Sequence, residues 1–191
     1  MKHIGLTILS AACLALSANT AIAQNAEDTA AENTAVEAPV RRPACVGSPY
    51  RDFDFWIGTW EVRSPDGTLA GTNRITPEES GCLLVERWTS ANGGTGQSYN
   101  FVDRDTGDWR QVWVSTGATI NYSGGLDADG AMKLEGRIGY LPGSDKNGEF
   151  RGKWTLREDG TVEQVFHQYS EDTEEWKPWF TGIYTKIDEA E

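Results

Sequence analysis

The chain has 191 residues, with 29 acidic against 17 basic side chains and a formal net charge of −12. This length allows one domain of ordinary size and leaves no room for a two-domain cofactor enzyme. Phosphate groups are repelled by such an acidic balance, and no basic run is longer than Arg41-Arg42. The sequence therefore argues against nucleic acid as a partner.

The first 23 residues have the pattern of a signal peptide. Lys2 precedes an apolar stretch over 4–16, and Ala21-Ile22-Ala23 forms an A-x-A cleavage site before Gln24. This stretch is too short and too lightly flanked for a transmembrane anchor. We therefore expect a periplasmic or secreted protein with no membrane insertion after cleavage. A lipobox over 10–13 is the alternative interpretation of the same residues.

The next segment, 24–44, lacks aromatic residues and apolar periodicity, so we expect a disordered linker before a folded domain over 45–191. Two cysteines remain after cleavage, Cys45 and Cys82. Thiols in an oxidising compartment most often pair, which predicts a disulfide between them. Two buried free thiols are the alternative.

The rest of the chain has the pattern of an antiparallel β-protein. Eight tryptophans and 21 glycines fit tight turns and large aromatic core residues. No segment carries a 3.6-residue apolar stripe, so we expect little helix. Turn signals such as Ser64-Pro65-Asp66-Gly67 separate segments of strand length, which predicts a barrel or a sandwich. The ten predicted strands are 55–63, 68–76, 82–90, 97–103, 109–115, 119–124, 132–140, 149–157, 161–169 and 179–187.

Side-chain alternation favours a closed barrel with a ligand inside. Apolar and charged residues alternate cleanly over 132–138 and 150–156, whereas both faces are mixed over 83–88 and 109–115. A barrel of ten strands explains mixed faces, because its interior is too wide for side chains to fill. For each polar candidate, an outward-facing strand position remains the alternative. The predicted ligand-binding residues are Trp88, Tyr99, Gln111, Trp113, Tyr122 and Gln164, and the polar lining adds Glu86, Asn100 and His167.

The strongest local motif is Gly58-Thr59-Trp60 at the start of the first predicted strand. It resembles the G-x-W signature of lipocalin and calycin barrels, in which Trp60 would close the barrel floor and Gly58 would permit close packing. The apolar run 53–57 before it suits a short 3₁₀ turn or helical turn.

Further segments extend this resemblance over Asp52 to about Lys186. Taken together, they resemble the DUF1579-like, calycin-like family of secreted bacterial proteins of unknown function. The resemblance implies an up-and-down barrel of about ten strands with a pocket, and it supplies no reaction. The segments that carry it are 71–75, 81–88, 98–101, 109–114, 135–136 and 180–184.

The barrel also looks like nitrobindin, a haem-binding relative in fold whose axial histidine lies on the last strand. This chain has Trp179 where that histidine is expected, so we expect no cofactor and no haem of that kind. His167, on the preceding strand, would ligate haem iron only if it pointed inward. A lone strand histidine is more often exposed or hydrogen-bonded.

The sequence gives little support for a metal-binding site or a nucleotide-binding site. Once the signal peptide is removed with His3, one histidine and a disulfide leave too few ligands for zinc, and no glycine-rich loop leads into a helix. The acidic runs 103–108 and 127–130 resemble calcium loops, but hairpin turn chemistry explains both. No G-x-S-x-G motif is present. We therefore predict no metal site.

The sequence thus favours an exported binding protein for a small, partly apolar molecule over an enzyme. One alternative is a hydrolase or isomerase that uses Glu86, its pKa raised by desolvation, with Tyr99, Tyr122 or His167 as proton donor. Another alternative is a structural or interaction protein of the envelope with a filled barrel. The sequence predicts no oligomeric state.

Overall fold

Ten antiparallel strands, each paired with its neighbours in the sequence, form a closed barrel in the computed structural model, which describes residues 45–187. The first strand pairs with the last, so the sheet has no free edge. This confirms the predicted all-β, up-and-down barrel of ten strands. The strands are β1 (Gly58–Arg63), β2 (Leu69–Glu78), β3 (Leu83–Ser90), β4 (Thr95–Val102), β5 (Trp109–Ser115), β6 (Thr119–Leu126), β7 (Met132–Gly139), β8 (Gly148–Leu156), β9 (Val162–Ser170) and β10 (Glu175–Lys186).

The largest difference from the predicted boundaries lies in β10, which begins at Glu175 instead of Trp179. Its pairing with β9 shifts by one residue between Pro178 and Phe180. Proline lacks the N–H needed for a ladder hydrogen bond, and in sheets it is found at edges and bulges. The bulge therefore lets β10 continue past Pro178, a residue type that usually interrupts a strand.

The two ends of the barrel differ, and we call them the floor end and the open end. At the floor end lie the start of β1 and the turns 79–82, 103–108, 127–131 and 157–161. At the open end lie the turns 64–68, 91–94, 116–118, 140–147 and 171–174.

A short segment over 45–57 covers the floor end, and three contacts hold it there. The Cys45–Cys82 disulfide joins it to the residue before β3, as predicted, with the Cα atoms 5.1 Å apart. The Arg51 guanidinium donates to the Gly81 carbonyl at 2.9 Å, and Trp109 Nε1 donates to the Pro49 carbonyl at 2.9 Å. The segment ends in the predicted 3₁₀ turn, Asp54–Trp56.

An aromatic cluster fills the barrel above this segment. Phe53 stacks on Trp56 with ring centroids 4.8 Å apart and meets Trp154 edge-on at 5.3 Å. Trp60 is fully buried and donates through Nε1 to the Trp56 carbonyl at 2.9 Å. Gly58 has φ +145°, and a Cβ there would lie 3.0 Å from Lys186 Cε. Trp60 is thus packed into the floor end of the barrel, next to Gly58.

Two of the predicted segments, the signal peptide over 1–23 and the linker over 24–44, lie outside the described residues. Within 45–187, no helix has the length and apolar character needed to cross a membrane.

Candidate functional site

Above the aromatic cluster, the barrel interior contains a cavity of about 360 Å³. That volume lies in the range of ligand-binding pockets, about 300–1,000 Å³. The cavity contradicts the alternative of a filled barrel. Its lining residues are Glu86, Trp88, Gln111, Trp113, Ser115, Gly117, Ala118, Ile120, Tyr122, Tyr140, Gln164, Phe166, Trp179, Phe180 and Tyr184.

The upper wall of the cavity depends on a glycine. Trp113 on β5 lies against Gly96 on β4, where an added Cβ would be only 2.2 Å from the indole ring. Trp88 reaches the same wall from β3, where it pairs with Gly96. Because Gly96 has no side chain, two large indole rings can line one side of the cavity.

The bulge in β10 brings a third tryptophan to the mouth of the cavity. The Trp179 ring lies 5.4 Å from Phe150 and 6.0 Å from Phe166, both inward-facing residues. Its Nε1 donates to the Tyr140 hydroxyl at 2.9 Å, while 45% of the residue stays exposed. β-Bulges often re-aim a side chain at a functional site. Trp179 therefore lies partly in the cavity wall and partly in solvent.

The inner end of the cavity is polar and centres on Glu86, which is 4% exposed. One carboxyl oxygen accepts from Ser98 Oγ at 2.5 Å, and the other accepts from Asn73 Nδ2 at 2.7 Å. Burial raises the pKa of Glu86 from an ordinary 4.5 to about 7, against the lowering effect of these two hydrogen bonds. At neutral pH, Glu86 is therefore poised between its charged and neutral forms.

A chain of buried hydrogen bonds leads to Glu86 from β6. The Tyr122 hydroxyl donates to Gln111 Oε1 at 2.5 Å, and Gln111 Nε2 donates to Asn100 Oδ1. Asn100 Nδ2 then donates to Ser98 Oγ at 2.8 Å, which leaves the Ser98 hydroxyl proton for Glu86. Each donor in this series points toward the carboxyl group. Hydrogen bonds arranged in one direction polarise each other.

On the other side, Asn73 connects Glu86 to the last two strands. Asn73 Nδ2 lies 3.3 Å from the Tyr184 hydroxyl, which donates to Gln164 Oε1 at 2.5 Å. Burial raises the pKa of Tyr184 and of Tyr122, and the nearby Glu86 charge raises both further. The two phenols therefore stay protonated.

The polar side chains form an arc over seven strands, and an apolar wall completes the ring. The arc draws on β2 to β6, β9 and β10, whereas β1, β7 and β8 contribute apolar residues to the core, namely Trp60, Val62, Leu134, Ile138, Phe150 and Trp154. β7 and β8 are also the two strands whose sequence alternates cleanly. The apolar wall on β7 and β8 therefore coincides with the strands that alternate cleanly in the sequence.

The structure brings most of the predicted site residues together. Glu86, together with five of the six residues assigned to ligand binding, borders the cavity. Those five are Trp88, Gln111, Trp113, Tyr122 and Gln164.

Two predicted lining positions are wrong. Tyr99 is 51% exposed, because Ser98 and Asn100 on either side of it are fully buried and face inward. His167 lies on the outer face of β9, since Phe166 next to it borders the cavity. Burial, and then the nearby Arg151 charge, lower the His167 pKa. The acid–base alternative therefore loses both residues as interior proton donors.

Sequence reasoning missed three members of the polar arc. Asn73 alternates with Gly71 and Ile75, a pattern that signals one inward face of β2. Ser98 and Tyr184 both fall inside predicted strands, 97–103 and 179–187, but neither of them is assigned to the site from the sequence. For each of these residues, the available sequence signal is that it lies two positions away from another inward-facing residue on the same strand.

The two acidic runs form hairpin turns. Asp127 Oδ1 accepts from the backbone N–H groups of Asp129 and Ala131, each at 3.0 Å. Asp103 Oδ1 accepts from the Asp105 N–H at 2.9 Å. These are the local side-chain contacts typical of aspartate in turns, as expected. Within 45–187, no group of three His, Cys, Asp or Glu residues is placed to hold a metal ion.

The cavity thus combines aromatic walls, an open mouth and one buried carboxyl group in a hydrogen-bonded arc. Such a site can enclose the apolar part of a small molecule and hold its polar end in place.

A scan against protein-family models and a search of curated proteins both found no match to this chain.

Proposed function

We propose that this protein binds a small, partly apolar molecule inside its barrel. The observation that carries the proposal is the cavity of about 360 Å³ with aromatic walls at the mouth and hydrogen-bonding groups at the inner end. Trp88, Trp113 and Trp179 would cover the apolar part of the molecule. Glu86 and Gln164 would contact its polar part.

The contrast between the two ends of the barrel supports this proposal. Protein interiors are close-packed, and leaving a cavity in a core lowers stability. At the floor end, Phe53, Trp56 and Trp154 pack ring against ring. The same chain therefore has the side chains to fill a barrel, and a cavity of this size at the open end fits a ligand.

We also propose that the protein acts outside the cytoplasm, in the periplasm or beyond. The signal-like pattern over 1–23 and the Cys45–Cys82 bond support this, since disulfides persist in oxidising compartments. The DUF1579-like resemblance stays a prediction and agrees with export.

Binding can be tested with N-phenyl-1-naphthylamine, a neutral aromatic probe that fluoresces in apolar surroundings. Wild-type protein should enhance its fluorescence in a saturable way. Ala118→Trp, which fills the cavity mouth, should lower the affinity at least tenfold. Val114→Trp is the matched control, because Val114 is 54% exposed on the outer face of β5 and should leave the affinity unchanged.

Two outcomes would count against the proposal. One is the absence of saturable enhancement together with the absence of any co-purifying small molecule in native mass spectrometry. The other is an equal loss of probe binding in the Ala118→Trp and Val114→Trp variants, which would place the probe outside the barrel.

An acid–base enzyme is a second candidate, and the pKa of about 7 at Glu86 is the observation that favours it. Tyr122 and Tyr184 are the phenols nearest in the arc, but each reaches Glu86 through other side chains. An enzyme would convert a bound compound over time. Mass spectrometry of compounds incubated with the wild type and with Glu86→Gln would detect such turnover.

A further inference from the structure

The charges that border the cavity are unbalanced. Glu86 is the one carboxyl group there, and the lining residues of the described chain include no Lys, Arg or His. Buried carboxylates in proteins are normally paired with a cation, because an unpaired buried charge is costly. If a ligand supplied the cation, Glu86 would be ionised inside the barrel.

The hydrogen bonds around Glu86 are arranged for its ionised form. Ser98 Oγ and Asn73 Nδ2 both donate to the carboxyl oxygens, and the Ser98 hydroxyl already accepts from Asn100. A carboxylate accepts about four hydrogen bonds, so two of its sites remain for a ligand. The neighbouring Asn73 Oδ1 atom has no donor among the residues described. The surroundings of Glu86 are thus short of donors.

Aromatic rings provide the second half of a site for an organic cation. Eight of the fifteen lining residues are aromatic, and Trp88, Trp113 and Trp179 are among them. The negative face of an aromatic ring attracts a cation within about 6 Å of its centre. The same rings bury the hydrocarbon part of a ligand. A molecule that carries both a positive charge and an apolar body would use both features.

We propose that the cavity binds a protonated amine, with a primary or secondary ammonium group donating to Glu86 and an aromatic or aliphatic tail between the tryptophans. This inference rests on the proposed binding function and names its ligand class. An ammonium N–H can donate to Glu86, which a quaternary ammonium cannot do. The formal charge of −12 on the chain attracts cations and repels carboxylates.

The test compares three compounds that share a phenyl ring and a short chain. Phenethylamine carries an ammonium group, 2-phenylethanol a hydroxyl group and 3-phenylpropionate a carboxylate. Isothermal titration of the wild type at neutral pH and low salt should give affinity for phenethylamine at least tenfold above that for either analogue. Glu86→Gln keeps the shape of the side chain, and it should remove this preference for the amine over the alcohol.

Several results would overturn the inference. They are equal affinity for the amine and the alcohol, tighter binding of the carboxylate, an undiminished amine preference in Glu86→Gln, and no binding of phenethylamine. N-phenyl-1-naphthylamine separates these failures from failure of the proposed function. If the wild type binds this neutral probe and not phenethylamine, only the amine class is wrong.

A pH series on the wild type keeps the test decisive if Glu86→Gln fails to fold. Protons compete with the ammonium group at Glu86, so phenethylamine affinity should fall about tenfold per pH unit below the pKa of about 7. Tyr122 and Tyr184, the titratable groups on either side, stay protonated in this range. The affinity of 2-phenylethanol should stay constant. Phenethylamine affinity that does not change with pH would contradict the inference.

Discussion

The floor end and the open end of the barrel use the same residue type in opposite ways. Four tryptophans at the floor end are at most 3% exposed, and the 3₁₀ turn and the disulfide-linked segment hold them in a packed cluster. Three at the open end border a cavity. The floor-end residues are Trp56, Trp60, Trp109 and Trp154, and the open-end residues are Trp88, Trp113 and Trp179.

This difference teaches that aromatic content alone does not decide whether a barrel is filled. At the floor end, Phe53 enters from outside the sheet and meets the rings of Trp56, Trp109 and Trp154. At the open end, Tyr140 in the turn 140–147 reaches the cavity but borders it without filling it. We therefore expect the floor end to stabilise the fold and the open end to provide the site.

The largest expected effect is at the floor end. Trp154→Ala removes a fully buried ring and should lower the free energy of unfolding by about 3–5 kcal/mol. Trp88→Ala removes a half-buried ring from the cavity wall and should cost about 1–2 kcal/mol. Urea unfolding followed by circular dichroism measures both. Equal losses would mean that the cavity wall is packed as tightly as the floor.

The disulfide should have the next largest effect. It closes a loop of 37 residues, and replacing Cys45 and Cys82 together by alanine should lower the unfolding free energy by about 4 kcal/mol at most. The single Cys82→Ala variant should lose as much, since it breaks the same bond. N-phenyl-1-naphthylamine affinity of the folded double variant should be unchanged, because the bond lies away from the cavity. A weakened affinity would show that the two ends are coupled.

The sequence is sufficient to predict the barrel, because turn residues recur between segments of strand length and the G-x-W motif lies in the first of these segments. It also indicates the apolar wall, since Leu134 and Ile138 alternate with charged residues on β7. It does not indicate which face of β4 is inside. Tyr99 and Asn100 are both predicted to line the interior, although neighbouring strand residues face opposite sides, and only Asn100 is buried.

The reason for that error is physical. Apolar residues normally mark the inner face of a strand, but here the inner face carries a hydrogen-bonded arc that satisfies polar groups away from solvent. Each member depends on partners far along the chain, as Asn73 does on Tyr184. The sequence does not predict the position of Trp179 at the cavity mouth either, because this position depends on a one-residue bulge after Pro178. Pairing between strands decides both features.

Glu86 allows a test of the polar arc that depends on pH. Its folded-state pKa of about 7 lies above the ordinary value of 4.5, so ionisation costs more in the folded protein than in the unfolded chain. Its contribution to stability is therefore full below about pH 4.5 and is lost as the pH rises through 7. Between pH 5 and pH 8, the wild type should lose on the order of 2 kcal/mol relative to Glu86→Gln. Parallel pH profiles for the two proteins would show that Glu86 titrates normally.

The smallest expected effect on stability belongs to Trp179. Trp179→Phe keeps a ring against Phe150 and Phe166 but removes the N–H that donates to the Tyr140 hydroxyl. A single hydrogen bond at a partly exposed site contributes about 1 kcal/mol, and urea unfolding should show a loss no larger than this.

Trp179 has two roles, one in packing and hydrogen bonding and one at the cavity mouth. Measurements of probe binding should distinguish these roles more clearly than measurements of stability. Trp179→Ala opens the cavity mouth and should weaken N-phenyl-1-naphthylamine binding about tenfold, whereas Trp179→Phe should weaken it less. Trp176→Ala is the matched control on the same strand, because its ring packs under Arg151 and against Tyr169 instead of bordering the cavity. If Trp176→Ala weakened probe binding as much as Trp179→Ala, the mouth of the cavity would not be where the probe enters. A stability loss at Trp179 as large as that at Trp154 would instead make the open end a second packed core.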